Sequence, residues 1–124
     1  MKTLLLAILF LFTSSAWAEW ITIGENDADT LYIDFASLKP NGQIRKIQEL
    51  QDFKQRGKGG EMSVLTKSEY DCEKLSYRVL AVTTYAGSMA TGKKLSTKTA
   101  NPKAWVLVIP QTDSETVFET VCAQ

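Results

Sequence analysis

Histidine is absent from the 124 residues. Without imidazole there is no Ser-His or Cys-His nucleophilic pair and no imidazole metal ligand. Cysteine is nearly absent: Cys72 and Cys122 are the only two. Their spacing is nothing like the Cys-X-X-Cys of a dithiol redox protein. Two thiolates alone do not complete the tetrahedral set of a structural zinc site. An excess of positive charge is also missing, since 14 Lys and Arg face 14 Asp and Glu. A nucleic-acid binder needs a basic face to displace counterions, so near-neutrality argues against that class. It argues equally against purely electrostatic adsorption to an anionic membrane. Beyond residue 18 no apolar run approaches the roughly 20 residues that span a bilayer. No internal repeat and no second domain is visible.

The first 18 residues read as an export leader. Lys2 is the positive start, Leu4 to Phe12 is a continuous apolar run, and Ala16-Trp17-Ala18 fits a small-residue cleavage site. The competing reading is a membrane anchor or a buried helix, for which the run is short. Cleavage after Ala18 leaves 19–124 as the mature domain, with acidic side chains one ahead of basic ones. No cysteine follows the cleavage site, so the lipid-bearing cysteine of a bacterial lipoprotein is missing. The expected location is the periplasm, the cell surface or the medium.

Export makes the cysteines readable. Two in an oxidising compartment allow one intramolecular pairing, Cys72 with Cys122. Closing that loop of about 50 residues is worth about 4 kcal/mol on the chain-entropy account. Two free buried thiols are the alternative. One staple suits a domain of this size, whose core is modest.

The bond would pin the C-terminal end. Trp105 to Ile109 reads as a last, buried strand, stopped by Pro110. A short helix follows from about Asp113 to Val121. Thr112 and Glu115 have the spacing of a capping box. Val117, Phe118, Val121 and Cys122 form one helical stripe, with Glu115, Glu119 and Thr120 outside it.

Earlier in the chain, Trp20 to Ile23 and Leu31 to Phe35 read as two strands of a hairpin around a polar turn. Glu25, Asp27 and Asp29 in that turn lack the glycine and bidentate glutamate of a calcium loop, so a solvated turn is the plainer reading. Pro40-Asn41-Gly42 is a strong turn signal. From Gln43 to Phe53, Ile44, Ile47, Leu50 and Phe53 recur every three residues, which leans towards a helix; a strand is the competing assignment. Lys54 to Glu61 is a basic, glycine-rich loop without the phosphate-cradling G-x-x-x-x-G-K-[ST] order. Met62 to Asp71 alternates as an antiparallel strand with one wet face. Ser76 to Ala86 reads as a long central strand. Residues 87–102 are small and polar, and part of them is expected to pair as an edge strand defended by lysines.

Little here suggests catalysis, and no cofactor or metal is expected. Asp34, Asp52, Glu69 and Asp71 are the carboxylates available for acid–base work, yet strand alternation places most of them on a wet face. Lys93, Lys94, Lys98 and Lys103 are the candidate surface for a polyanion or an acidic protein partner; an ordinary solvated loop is the alternative. Trp20 and Trp105 read as core or sheet-edge residues before interface ones.

The order of the short motifs resembles a known family. Glu19-Trp20 opens the mature chain. Tyr32-Ile33-Asp34, Ala36-Ser37-Leu38, Asn41-Gly42 and Leu50 to Lys54 follow. Ser63 and Lys67 then precede Tyr70-Asp71-Cys72, and Tyr77-Arg78, Tyr85, Trp105, Ile109-Pro110 and Val121-Cys122 complete the series. This is similar to the surface-adhesin protein E family of Gram-negative bacteria, over nearly the whole mature chain. The resemblance implies an α+β fold: a single antiparallel sheet of about six strands, with a C-terminal helix packed on one face and tied by the disulfide. It also implies that 44–53 is a strand. In function it implies a non-enzymatic binding protein that contacts host matrix or plasma proteins, and a homodimer. A periplasmic accessory or small-ligand-binding domain of the cell envelope is the rival class. The missing lipid-anchor cysteine departs from the founding pattern. No binding residue transfers, because the matching positions are structural.

Overall fold

A computed structural model describes residues 18–101 and 104–124. The leader up to Trp17, and Lys103 of the proposed basic surface, lie outside the described residues.

The chain first runs as an antiparallel meander. β1 (Trp20–Glu25), β2 (Asp29–Asn41), β3 (Ile44–Phe53), β4 (Ser63–Asp71), β5 (Ser76–Tyr85) and β6 (Lys94–Thr99) lie side by side in sequence order. β7 (Val106–Leu107) returns to β5 and pairs with its first two residues, while β6 pairs with its last five. The α-helix α1 (Asp113–Cys122) crosses one face over β1 to β4.

Local chemistry explains the turns. Asn26 Oδ1 accepts the N–H groups of Ala28 and Asp29 and closes the β1–β2 turn. That polar turn therefore holds itself together. Gly42 stands at a φ of 60° in the two-residue β2–β3 turn, the positive φ that tight hairpin turns need. Asp71 Oδ1 takes the N–H groups of Glu73 and Lys74 in the β4–β5 turn. In that turn the Cys72 N–H donates to the Gln43 carbonyl, so the two hairpin ends are joined.

The core sits between helix and sheet. Leu31 and Ile33 from β2, Ile47 from β3 and Tyr70 from β4 meet Val117 and Val121 of α1. Ile23, Phe35, Leu38, Tyr77, Phe118 and Cys122 close its margins. Thr112 caps the helix: its Oγ1 accepts the Glu115 N–H at 3.4 Å. Glu115 reaches back one residue further than a capping box requires, accepting the Gln111 N–H at 3.3 Å. Cys72 and Cys122 are bonded, so the last helical turn is tied to the β4–β5 turn.

Ile44–Phe53 is a strand, as the family resemblance implies and against the helical lean of its spacing, and that three-residue spacing has a two-faced cause. Ile47 points under the helix. Leu50 points to the opposite face and is buried there beneath a one-turn 3-10 segment, Ser88–Ala90. The apolar run Trp105 to Ile109 is not a buried strand. Only Val106 and Leu107 pair, and Val106, Leu107 and Ile109 are exposed. β7 has β5 on one side and no strand on the other among the described residues.

Candidate functional site

The four carboxylates open to acid–base work are occupied structurally. Asp34 is buried, and its Oδ1 accepts the N–H groups of Glu19 and Ala36 at 2.9 and 3.0 Å. Asp52 accepts the Met89 N–H at 2.8 Å. Beside it, buried Ser63 accepts the Ala90 N–H and donates to the Gly87 carbonyl. These bonds hold the Ser88–Ala90 segment, in which Met89 and Ala90 both stand at positive φ. Glu69 faces the Arg78 guanidinium at 3.4 Å, and that guanidinium stacks 4.2 Å from the ring centre of Trp105. Trp105 is thereby drawn onto the sheet margin. Asp71 is the turn residue already described. Each of these carboxylates thus has a structural partner of its own.

Sequence reasoning missed a different acid. Glu49 lies under α1 and accepts the Tyr70 phenol at 3.0 Å. Burial lifts its carboxyl above the ordinary value, hydrogen bonds from Ser68 and Tyr70 oppose the lift, and Asp113 adds to it. The Tyr70 phenol is pushed far above its usual range by burial and by Glu49, and stays protonated. Tyr70 and Tyr77 stack with ring centres 5.6 Å apart. The pair is a polar contact inside the core; the register sets Glu49 opposite Thr66 and Tyr70 opposite Arg45, so the two meet through the reach of their side chains along one face.

The candidate basic surface lies at the far edge of the sheet. Every residue of β6, including Lys94 and Lys98, is exposed. Lys93 is exposed just before it, its carbonyl bound to the Ala86 N–H. Near the disulfide is a second exposed area, apolar in character. Leu75, Leu107, Val108, Pro110 and Phe118 line a hollow of about 380 Å3 with Glu115 and Glu119. No group of side chains suited to hold a metal ion occurs among the described residues. No helix among them is long and apolar enough to cross a membrane.

A third area lies on the sheet face away from the helix. Lys39, Lys46 and Lys67, with Ala36, Ser37 and Gln48, line a depression of about 290 Å3 beside a break in β2. These lysines sit on three different strands, so the linear sequence does not group them.

The architecture defines a class: an antiparallel meander carrying one helix on one face, strapped at its end by a disulfide. The family model described as surface-adhesin protein E matches residues 20–123. The chain belongs to the surface-adhesin protein E family. Crystal form II of Haemophilus influenzae protein E is similar in structure, with a TM-score of 0.66 at 16% identity, over 88% of this chain and 91% of that one. Its selenomethionine form gives 0.65 at 16% identity, over 88% and 89%. Protein E from non-typeable Haemophilus influenzae gives 0.58 at 13% identity, over 89% and 79%. At these identities the likeness is one of fold. Among curated proteins none matches the chain.

Proposed function

We propose that this chain is an exported, non-enzymatic binding protein that adheres to a host matrix or plasma protein. Family membership over 20–123 is the observation that carries the reading. The exposed β6 edge, with Lys93, Lys94 and Lys98, is the surface we assign to an acidic partner segment. Lysines on an open edge steer such a partner and shed their own water reluctantly, so affinity should fall with salt. The export leader, Met1 to Ala18, belongs to the same reading.

The first experiment is localisation. Intact cells are treated with protease, and the mature protein is compared before and after the outer membrane is opened. Loss from intact cells supports surface display, and binding to immobilised matrix proteins is the next assay. Survival until the membrane is opened sinks adhesion. The depression around Lys46 favours a second reading, a periplasmic domain that holds a small ligand, and survival would leave that one standing.

A further inference from the structure

β2 leaves its ladder with β3 between Asp34 and Lys39. Ser37 bridges the gap: its Oγ accepts the Gln48 N–H at 2.9 Å and donates to the Asp34 carbonyl at 2.7 Å. Such breaks re-aim side chains and are common beside functional sites. Here the break opens the depression described above. The register then sets Lys39 opposite Lys46, and Gln48 opposite Lys67. Same-face residues directly opposite stand about 5 Å apart at Cβ, and diagonal ones roughly 7 to 8 Å. Lys46 and Lys67 are diagonal neighbours. Three lysines from three strands therefore line one hollow.

The nearby carboxylates do not neutralise it. Glu69 stands opposite Lys46 in the register, yet its carboxylate engages Arg78. Asp34 is buried and accepts backbone N–H groups. Among the described residues no ion pair or hydrogen bond joins Lys39, Lys46 or Lys67 through its ammonium to a protein acceptor. Like charges placed directly opposite on a sheet are destabilising. Conflicts of that kind gather where a protein binds something.

We propose that this depression binds a sulfate or phosphate ester, with Lys39, Lys46 and Lys67 donating to its oxygens and the Gln48 carboxamide between them. A compact oxyanion accepts several donors at once, and three lysines converging as point charges suit it. Its size fits one ester group with part of the sugar or other small body that carries it. The site is separate from the β6 edge and stands whether the chain acts at the surface or in the periplasm.

The test uses the purified, isotope-labelled protein, so it is independent of localisation. Inorganic phosphate, glucose 6-sulfate and glucose 6-phosphate are titrated while amide and lysine side-chain NMR signals are followed. We expect saturable shifts centred on Ala36, Lys39, Lys46, Gln48 and Lys67, weakened by salt. Lys46→Gln should weaken binding roughly fivefold to tenfold, the loss of one close charge. Lys58→Gln, at an exposed lysine of the 54–61 loop, should leave it unchanged. In the absence of anion, Lys46→Gln should melt slightly higher than the parent, because a like-charge contact is gone. Saturation by inorganic phosphate alone places the recognition in the oxyanion; tighter binding of a sugar ester shows that the carrier is also held. No saturable shift with any of the three overturns the proposal. So do shifts shared equally with Lys93, Lys94 and Lys98, or binding that appears only with anionic phospholipid vesicles.

Discussion

On the helix-covered face, Leu31, Ile33, Ile47 and Tyr70 close against Val117 and Val121. On the open face, Leu50 is buried under the Ser88–Ala90 turn between Tyr32 and Leu65, and Lys39, Lys46, Gln48, Lys67 and Glu69 lie beyond it. Both faces belong to the same strands, so their difference comes from the alternation of side chains and from what folds over each. The covered face gathers the burial that stabilises a small domain, and the disulfide fixes its lid. The open face is free to hold charge in arrangements that a core would not tolerate. Apolar burial and exposed charge thus lie largely on opposite sides of one sheet.

The strongest way to break this division is to cut the strap. Cys72→Ser should lower unfolding free energy by about 4 kcal/mol without reductant, since the bond closes a separation of 50 residues. Denaturant unfolding that matches the parent would mean that the helix is held by packing alone. Next in size, Ile33→Ala under the helix should cost about 2 to 5 kcal/mol. Leu50→Ala on the open face should fall in the same range if the 3-10 turn is a true lid. A cost below about 1 kcal/mol would show that this face collapses easily around Leu50, with Tyr32 and Leu65 opposite it in the register.

The buried acid sharpens the comparison from inside the covered face. Glu49 has its carboxyl raised above 4.5, chiefly by burial. The folded chain therefore holds that proton more tightly than the unfolded chain. The stabilisation is complete below pH 4.5 and is lost as pH rises through the folded-state value. Glu49→Gln keeps an acceptor for Tyr70 and removes the buried charge. At neutral pH it should be more stable than the parent, with a flatter stability profile above pH 4.5. Parallel profiles for parent and variant would assign the titration to another group. The smallest effect belongs to the exposed edge: Lys94→Gln with Lys98→Gln should change stability by less than about 0.5 kcal/mol. A larger loss in thermal melting would mean that β6 is more than a boundary.

Much of the covered face was legible in the residues. Val117, Phe118, Val121 and Cys122 announce their stripe, Thr112 its cap, and two cysteines allow a single pairing. The open face was not. The spacing of Ile44, Ile47, Leu50 and Phe53 imitates a helix because Ile47 and Leu50 are buried on opposite sides of one strand. Trp105 to Ile109 is apolar enough for a buried strand, but composition does not say how many neighbours a strand will have. The lysine hollow had one faint signal: the Asn41-Gly42 turn pairs Asn41 with Ile44, and counting back from that pair sets Lys39 against Lys46. Lys67 joins only through β4, and no local pattern reveals that.

The cystine also determines how the molecule would carry tension. A pull applied at Gln124 passes through the sulfur bridge to Cys72 and on into the β4–β5 turn. The segment between the two cysteines, including β5, β6 and α1, lies outside that load path. Stretched between its ends, the oxidised domain can extend only through the residues before Cys72 and the last two after Cys122, and reduction would release the hidden length.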